Sequence, residues 1–378
     1  MGTMTSLSEQ LPHVTAFPHA LGTGILLHTG TTLSSDVYAR IDSFIADYEA
    51  VLSRFRDDSI VGRMRTASHG GTFDFPDWAS ELFELYDRLF AATNGAIDPC
   101  VGEDLIRLGY DESYSFASAP DAAEHAGAIH GRATWAADVE RHGSTLVTHG
   151  PVSLDFGACG KGYLVDLIAG ILNMGHPQPA TPPTPASGGK TVLAPDDGYE
   201  AAPAITDRSD TALAPAGGGC LRSGLGVDQG TTQYVIDAGG DLLIRANSPI
   251  VIAFEDPTDP ANAVGTAELS NGSFCASAPS RRHWTDAAGH QLHHLLNAID
   301  GLPVTDVAAT WVAVIPEPKS VATPSPQYPT ATADGLATAL FTTSASQLRV
   351  HFPFECAILT ADRTAAQSTD FPGAFFTE

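Results

Sequence analysis

The run Leu154-Asp155-Phe156-Gly157-Ala158-Cys159-Gly160-Lys161-Gly162-Tyr163-Leu164-Val165-Asp166 decides how the rest of the chain is read. A short apolar stretch enters three glycines and a lysine, and an apolar-periodic segment follows to Met174. That pattern predicts a strand, a tight turn and a helix over Gly162–Met174. Glycines at such a junction let backbone N–H groups approach a ligand, and the N-terminus of the following helix attracts anions. Lys161 placed there can hold a phosphate as a point charge. The Walker spacing is absent, so a tight turn with a solvated lysine explains the segment equally well.

The composition sets limits around this motif. A chain of 378 residues with 43% hydrophobic content can bury a sizeable core. Asp and Glu outnumber Lys and Arg by 44 to 19, and the resulting net charge of -25 argues against nucleic acid or an anionic membrane as partner. No stretch of about 18 apolar residues occurs, so no spanning helix and no membrane insertion are expected. The segment Met1–His13 is polar and lacks the apolar centre of a secretory signal. Cys100, Cys159, Cys220, Cys275 and Cys356 are scattered without a CxxC pair, which suits free thiols in a reducing compartment. These features predict a soluble, cytoplasmic protein.

Along the chain, His19 to Thr32 reads as the beginning of a strand pair broken at Gly22 and Gly24. The spacing of Val37, Ile41, Phe44, Ile45, Tyr48 and Val51 predicts a helix over Leu33–Leu52 with N-caps among Ser34, Ser35 and Asp36. A second helix is expected over Phe75–Thr93, ended by Asn94-Gly95. Strand–turn–strand patterns cover Ser144–Asp155 and Gln233–Ile244, the latter turning at Gly239-Gly240. A β-branched strand is expected at Val304–Val314 and a helix at Ala331–Thr343. Residues 176–230 are rich in Pro, Ala, Gly, Thr and Ser without periodicity, and read as a disordered insertion. A smaller insertion is expected at 316–330, which carries five prolines. The mixed order of helices and strands predicts an α+β fold, read as one domain over 17–378 preceded by an N-terminal tail at 1–16.

Several residues can carry chemistry. Asp334 and Thr338 stand four apart on the last helix, which puts a carboxylate and a hydroxyl on one face, both hard oxygen donors for a cation such as Mg²⁺. A dipole-favouring Asp in a first turn and a back-bonded Thr account for them just as simply. Asp98 precedes Pro99, so extended geometry there leaves its carboxylate free for a cleft, though Asp-Pro is also an ordinary turn. His293 and His294 precede an apolar run, and only one of two adjacent strand residues faces a given site. A neutral imidazole there can accept a proton from a hydroxyl, or be one more surface histidine of the chain's 14. Ser277 is equally a turn residue or a site residue. Neither a GxSxG elbow nor an HExxH pair is present.

Taken in order, these segments resemble the ApbE-type FAD:protein FMN transferases. The matching pieces are Leu21-Gly22-Thr23, Ser53-Arg54-Phe55 with Asp58-Ser59, Asp98-Pro99-Cys100-Val101-Gly102 and the Asp155–Asp166 run. They continue through Gly239-Gly240-Asp241, Ser277, His294 to Pro303, and Ala333-Asp334-Gly335-Leu336-Ala337-Thr338-Ala339. The resemblance covers roughly residues 17–344 outside both insertions.

It implies FAD as substrate, held against Leu21, Phe55, Ala96, Ile97, Asp98, Asp155, Lys161 and Leu295. It implies Mg²⁺ bound by the Ala158 carbonyl, Asp334 and Thr338, with the Ala331 carbonyl as a further ligand. His294 falls at the family's base and Lys161 beside the phosphates. The implied partner is an acceptor flavoprotein whose Thr or Ser hydroxyl attacks the FAD pyrophosphate and expels AMP. Water in place of that hydroxyl makes the same site an FAD pyrophosphatase, and a non-catalytic flavin-binding protein is the third alternative. The chain departs from the pattern at Phe55, where many members have tyrosine, and at Leu21, where methionine is usual. Asn297-Ala298 replaces the usual Asp-Pro.

Overall fold

The computed structural model describes residues 6–173, 233–286, 289–316 and 326–377. Among them the dominant element is a nine-stranded sheet whose neighbours pair antiparallel throughout. Its strands are β1 (His13–Phe17), β2 (Ile25–Thr29), β3 (Tyr234–Asp237), β4 (Asp241–Asp256), β5 (Asp259–Ser277), β6 (Val307–Val314), β7 (Glu355–Thr360), β8 (Ala365–Gln367) and β9 (Gly373–Phe375). The first eight lie side by side in chain order and β9 joins the far end of β5. A three-stranded sheet, Gly71–Asp74, Thr145–Thr148 and Val139–His142, stands apart from it.

Alternation along the strands explains the layers. Tyr234, Ile236, Val312 and Val314 face a core shared with the helices, while Val235, Trp311 and Ala313 face a second cluster with Phe254, Phe274 and Phe371. A period of two sorts neighbouring side chains to opposite faces of a strand, and here both faces are covered. Against the first face lie helices α1 (Ser35–Leu52), α2 (Ala79–Ala92), α3 (Gly160–Asn173) and α4 (Pro329–Ala339). A third cluster gathers Leu105, Leu108, Tyr110, Trp284, Leu292 and Leu296 with Phe55 against it.

The α+β class and the main helices agree with the sequence pattern, and the differences are local. Ser34 caps α1, its hydroxyl accepting from Val37 N at 3.3 Å. Phe75 lies outside α2 because its N–H is bonded to Ser144 O. Helix α3 starts at Gly160, two residues earlier than expected, which puts Lys161 inside its first turn. Helix α4 starts at Pro329, so Asp334 lies in the second turn and the dipole explanation for it falls away.

That same start corrects the smaller insertion: Pro329 and the fully buried Thr330 belong to α4, and 317–325 lie outside the described residues. The larger insertion at 176–230 also lies outside them. At the other end, His13–Phe17 pairs with Ile25–Thr29, so the last residues of the expected tail are a sheet strand. Cys100, Cys159, Cys275 and Cys356 are free and buried.

Candidate active site

The Asp155–Asp166 run reaches the interior through close backbone contact. A Cβ on Gly162 would sit 2.4 Å from the Thr330 carbonyl oxygen, so only glycine lets α3 and α4 approach this closely. Asp166, one turn on, accepts hydrogen bonds from Thr330 N at 3.0 Å and Ala331 N at 2.9 Å. It supplies the cap that Tyr328 at the start of α4 lacks. From the other side, Tyr48 of α1 donates its hydroxyl to Gly160 O at 2.8 Å.

These contacts bring three charged groups together. The Lys161 ammonium is in short contact with Asp241 and lies 3.4 Å from Asp334 Oδ1. Asp334 Oδ2 accepts from Gly162 N at 3.0 Å. The side chains of Asp241 and Asp334 are 1% and 2% exposed, whereas Lys161 keeps 23%. Burial and the neighbouring Asp241 push the Asp334 carboxyl up to about 7, against the pull of Lys161. The two carboxylates hold the lysine firmly in its charged form. Asp241, to which the sequence pattern gave no role of its own, comes from the turn at Gly239 and Gly240, whose φ angles of 71° and 107° suit glycine.

With one ammonium between two buried carboxyl groups, the cluster has more acid groups than Lys161 can neutralise, and burial resists the ionisation of both. Asp241 Oδ1 is buried without a hydrogen-bond partner. Asp334, Thr338 four residues along the same helix and backbone carbonyls at Ala158 and Ala331 are hard oxygen donors of the kind Mg²⁺ takes. The excess of acid groups over the one ammonium and the donor chemistry fit a divalent cation. No group of three or more His, Cys, Asp or Glu side chains able to hold a metal occurs among the described residues, so such a site would depend on carbonyl, hydroxyl and substrate oxygens. The Ala331 carbonyl lies inside α4, whose own ladder engages one of its lone pairs.

A second group of residues lies around Asp155. Its carboxylate takes Arg54 Nε at 2.5 Å and Gly157 N at 2.6 Å, and its N–H donates to Pro99 O at 2.7 Å. The Arg54 guanidinium lies over the Phe55 ring, 4.1 Å from its centroid. Phe55 stacks on Tyr114 at 5.3 Å between centroids with 9° between planes, and Tyr110 stacks in turn on Trp284. These aromatic partners went unnoticed in the sequence because they come from three distant segments.

The Asp98 carboxylate does not face a cleft. It is 1% exposed, accepts from Cys100 N at 2.8 Å and Trp135 N at 3.2 Å, and pairs with the buried Arg132 at 3.6 Å. Ala96 and Ile97 are also buried, and Ala96 O accepts from Ala298 N at 3.1 Å. That bond ties the Ala96–Asp98 segment to the one following His294. Leu21 sits at φ 52° with its N–H on Glu49 Oε1 at 2.6 Å, and a Cβ on Gly239 would come within 3.4 Å of the Thr23 side chain.

His293 is turned into structure, donating through Nε2 to Val304 O at 3.0 Å while Nδ1 accepts from Leu295 N at 3.2 Å. His294 pairs through Nδ1 with Arg282 O at 3.3 Å, which leaves Nε2 as the acceptor of a neutral ring. Burial first, then the Arg282 charge, push His294 down to about 3, with a smaller contribution from Lys161. Buried Leu295 follows directly, its carbonyl accepting from Val304 N.

A meander sheet with helices on one face thus carries a part-buried lysine between two carboxylates and, separately, a neutral imidazole. A family model described as ApbE family matches residues 1–178 and 225–351, and the chain belongs to that family. A curated relative, the FAD:protein FMN transferase of Klebsiella pneumoniae (strain 342), is 26% identical over 92 residues, which is 23% of this chain and 26% of that protein. The match thus spans about a quarter of that relative's length.

Among solved structures, the ApbE protein of Thermotoga maritima matches with a TM-score of 0.65 at 17% identity, over 94% of this chain and 97% of that one. The flavin transferase ApbE of Vibrio cholerae gives 0.64 at 17%, covering 95% and 97%. The flavinyl transferase ApbE of Pseudomonas stutzeri gives 0.63 at 19%, covering 94% and 95%. These likenesses show a shared fold. No helix among the described residues is long and apolar enough to cross a membrane.

Proposed function

We propose that this protein transfers FMN from FAD to a Thr or Ser hydroxyl of an acceptor flavoprotein in a Mg²⁺-dependent reaction that releases AMP. The observation that carries the proposal is the Lys161 ammonium held between Asp241 and Asp334 beside the α3 N-terminus. A pyrophosphate needs compensating positive charge where negative charge grows on its oxygens, and the Lys161 ammonium, together with a bound cation, would supply it. Asp334, Thr338 and the carbonyls of Ala158 and Ala331 would hold Mg²⁺. Bound there, the ion supplies Lewis-acid stabilisation of the phosphate oxygens.

Phe55 and its aromatic neighbours offer ring faces for a flavin, next to the Arg54–Asp155 pair. Leu21 and Leu295 and the Ala96–Asp98 backbone would line the same cleft. His294 Nε2, free because Nδ1 is engaged with Arg282 O, would take the acceptor hydroxyl proton. The new bond joins the acceptor oxygen to the FMN phosphorus, and the pyrophosphate bond to AMP breaks. Arrival of the anionic substrate raises the basicity of an imidazole otherwise held far below its ordinary range.

The test is incubation with FAD, Mg²⁺ and a candidate acceptor domain, following AMP and acceptor mass. AMP with a matching mass gain supports the proposal. AMP without any mass gain would replace it with FAD pyrophosphatase activity, and FAD held intact in the presence of Mg²⁺ would leave a flavin-binding protein.

A further inference from the structure

Asp241 has a contact but no task in the chemistry above. We propose that Asp241 is a positioning residue that takes the closer contact with the Lys161 ammonium and so keeps its bond to Asp334 Oδ1 long, at 3.4 Å, which leaves that carboxylate available to a divalent cation. This inference rests on the flavin-transfer reading of the site.

The two partners of Lys161 are unequal. Its ammonium is in direct contact with Asp241 and 3.4 Å from Asp334 Oδ1. Coulombic attraction falls with separation, so the nearer carboxylate holds most of the charge. Asp241 is also the rigid one. It opens β4 opposite Cys275 of β5, and the turn before it is fixed by Asp237 Oδ1 accepting from Gly240 N at 2.9 Å. Cys275 in turn donates its thiol to Thr330 O at 3.5 Å, so β5 spaces Asp241 from the start of α4. Lys161, by contrast, is a flexible stem whose head goes where the charge is.

Replacing Asp241 by a neutral group of the same shape leaves Asp334 as the lysine's remaining carboxylate in this cluster. The ammonium then closes on the oxygen a cation needs, and the two positive charges compete for one ligand.

The experiment is Mn²⁺ binding to the full-length protein without FAD, read as free Mn²⁺ by electron paramagnetic resonance. It uses the wild type, Asp241→Asn, Lys161→Met and the double variant, with circular dichroism to confirm folding. Asp241→Asn is expected to weaken Mn²⁺ binding about tenfold, the equivalent of one pKa unit of interaction. Lys161→Met should bind at least as tightly as the wild type, and adding Asp241→Asn to it should change nothing further.

Unchanged binding in Asp241→Asn overturns the inference. So does the same loss on the Lys161→Met background, which would make Asp241 a ligand itself. If Asp241→Asn does not fold, Lys161→Met decides alone, and weakened Mn²⁺ binding there contradicts a competing lysine. A wild type that binds no Mn²⁺ yet releases AMP from FAD overturns this inference only. A wild type that releases no AMP with any divalent ion removes the flavin-transfer reading as well.

Discussion

Asp166 Oδ2 accepts the Ala331 N–H at 2.9 Å, so the last residue of the glycine-rich motif caps the helix that carries Asp334. The pairing fixes the start of α4 against the middle of α3, and Thr330 N shares the same carboxylate. Asp166→Ala leaves two buried N–H groups without an acceptor, and a loss of about 1–3 kcal/mol in urea unfolding is expected. Unfolding midpoints equal to the wild type would show that the cap has no energetic role.

Gly162 makes the same junction sterically. A methyl group there meets the Thr330 carbonyl at 2.4 Å, so Gly162→Ala must push α3 from α4. The expected cost is about 1–3 kcal/mol, with activity falling further because Lys161 and Asp334 separate. A variant with wild-type stability and wild-type AMP release contradicts this account of the junction.

Much of this was legible in the chain and some was not, for physical reasons. Helix α1 showed its apolar spacing openly, and Ser34 announced its cap. The strand His13–Phe17 did not, because an edge strand with mostly exposed side chains carries no strong pattern. The Asp155–Asp166 run, Asp334 and Thr338 stood out as motifs. The pairing of Lys161 with Asp241, 80 residues apart, could not be seen, since spacing along a chain says nothing of contacts made by folding. Asp98 misled for the same reason: its fully buried partner Arg132 lies in another segment.

Phe55 is expected to carry flavin affinity through stacking, in company with Tyr114 and Tyr110. Phe55→Ala should raise KM for FAD about tenfold, since aromatic stacking contributes ~0.5–1.5 kcal/mol beyond burial. Phe55→Tyr should keep wild-type KM, because the ring face is retained. Equal KM in all three proteins would place the flavin elsewhere.

His294 gives a pH signature. Its folded pKa of about 3 lies below the unfolded value, so the unfolded chain binds the extra proton between those limits. Stability should therefore fall as pH drops from about 6.5 towards 3, with a slope of up to ~1.4 kcal/mol per pH unit from this residue. His294→Gln is expected to flatten the melting temperature over that window. The same variant should slow AMP release by about 10²–10⁴-fold while binding FAD normally, as loss of a base does. An unchanged rate would remove His294 from proton transfer.

The most direct measurement of the central claim is the ratio of AMP released to acceptor flavinylated, taken for the wild type and for Asp334→Ala with FAD and Mg²⁺. Transfer at this site predicts one AMP per modified acceptor in the wild type and loss of both products in Asp334→Ala. No AMP from the wild type, or full activity in Asp334→Ala, would contradict it.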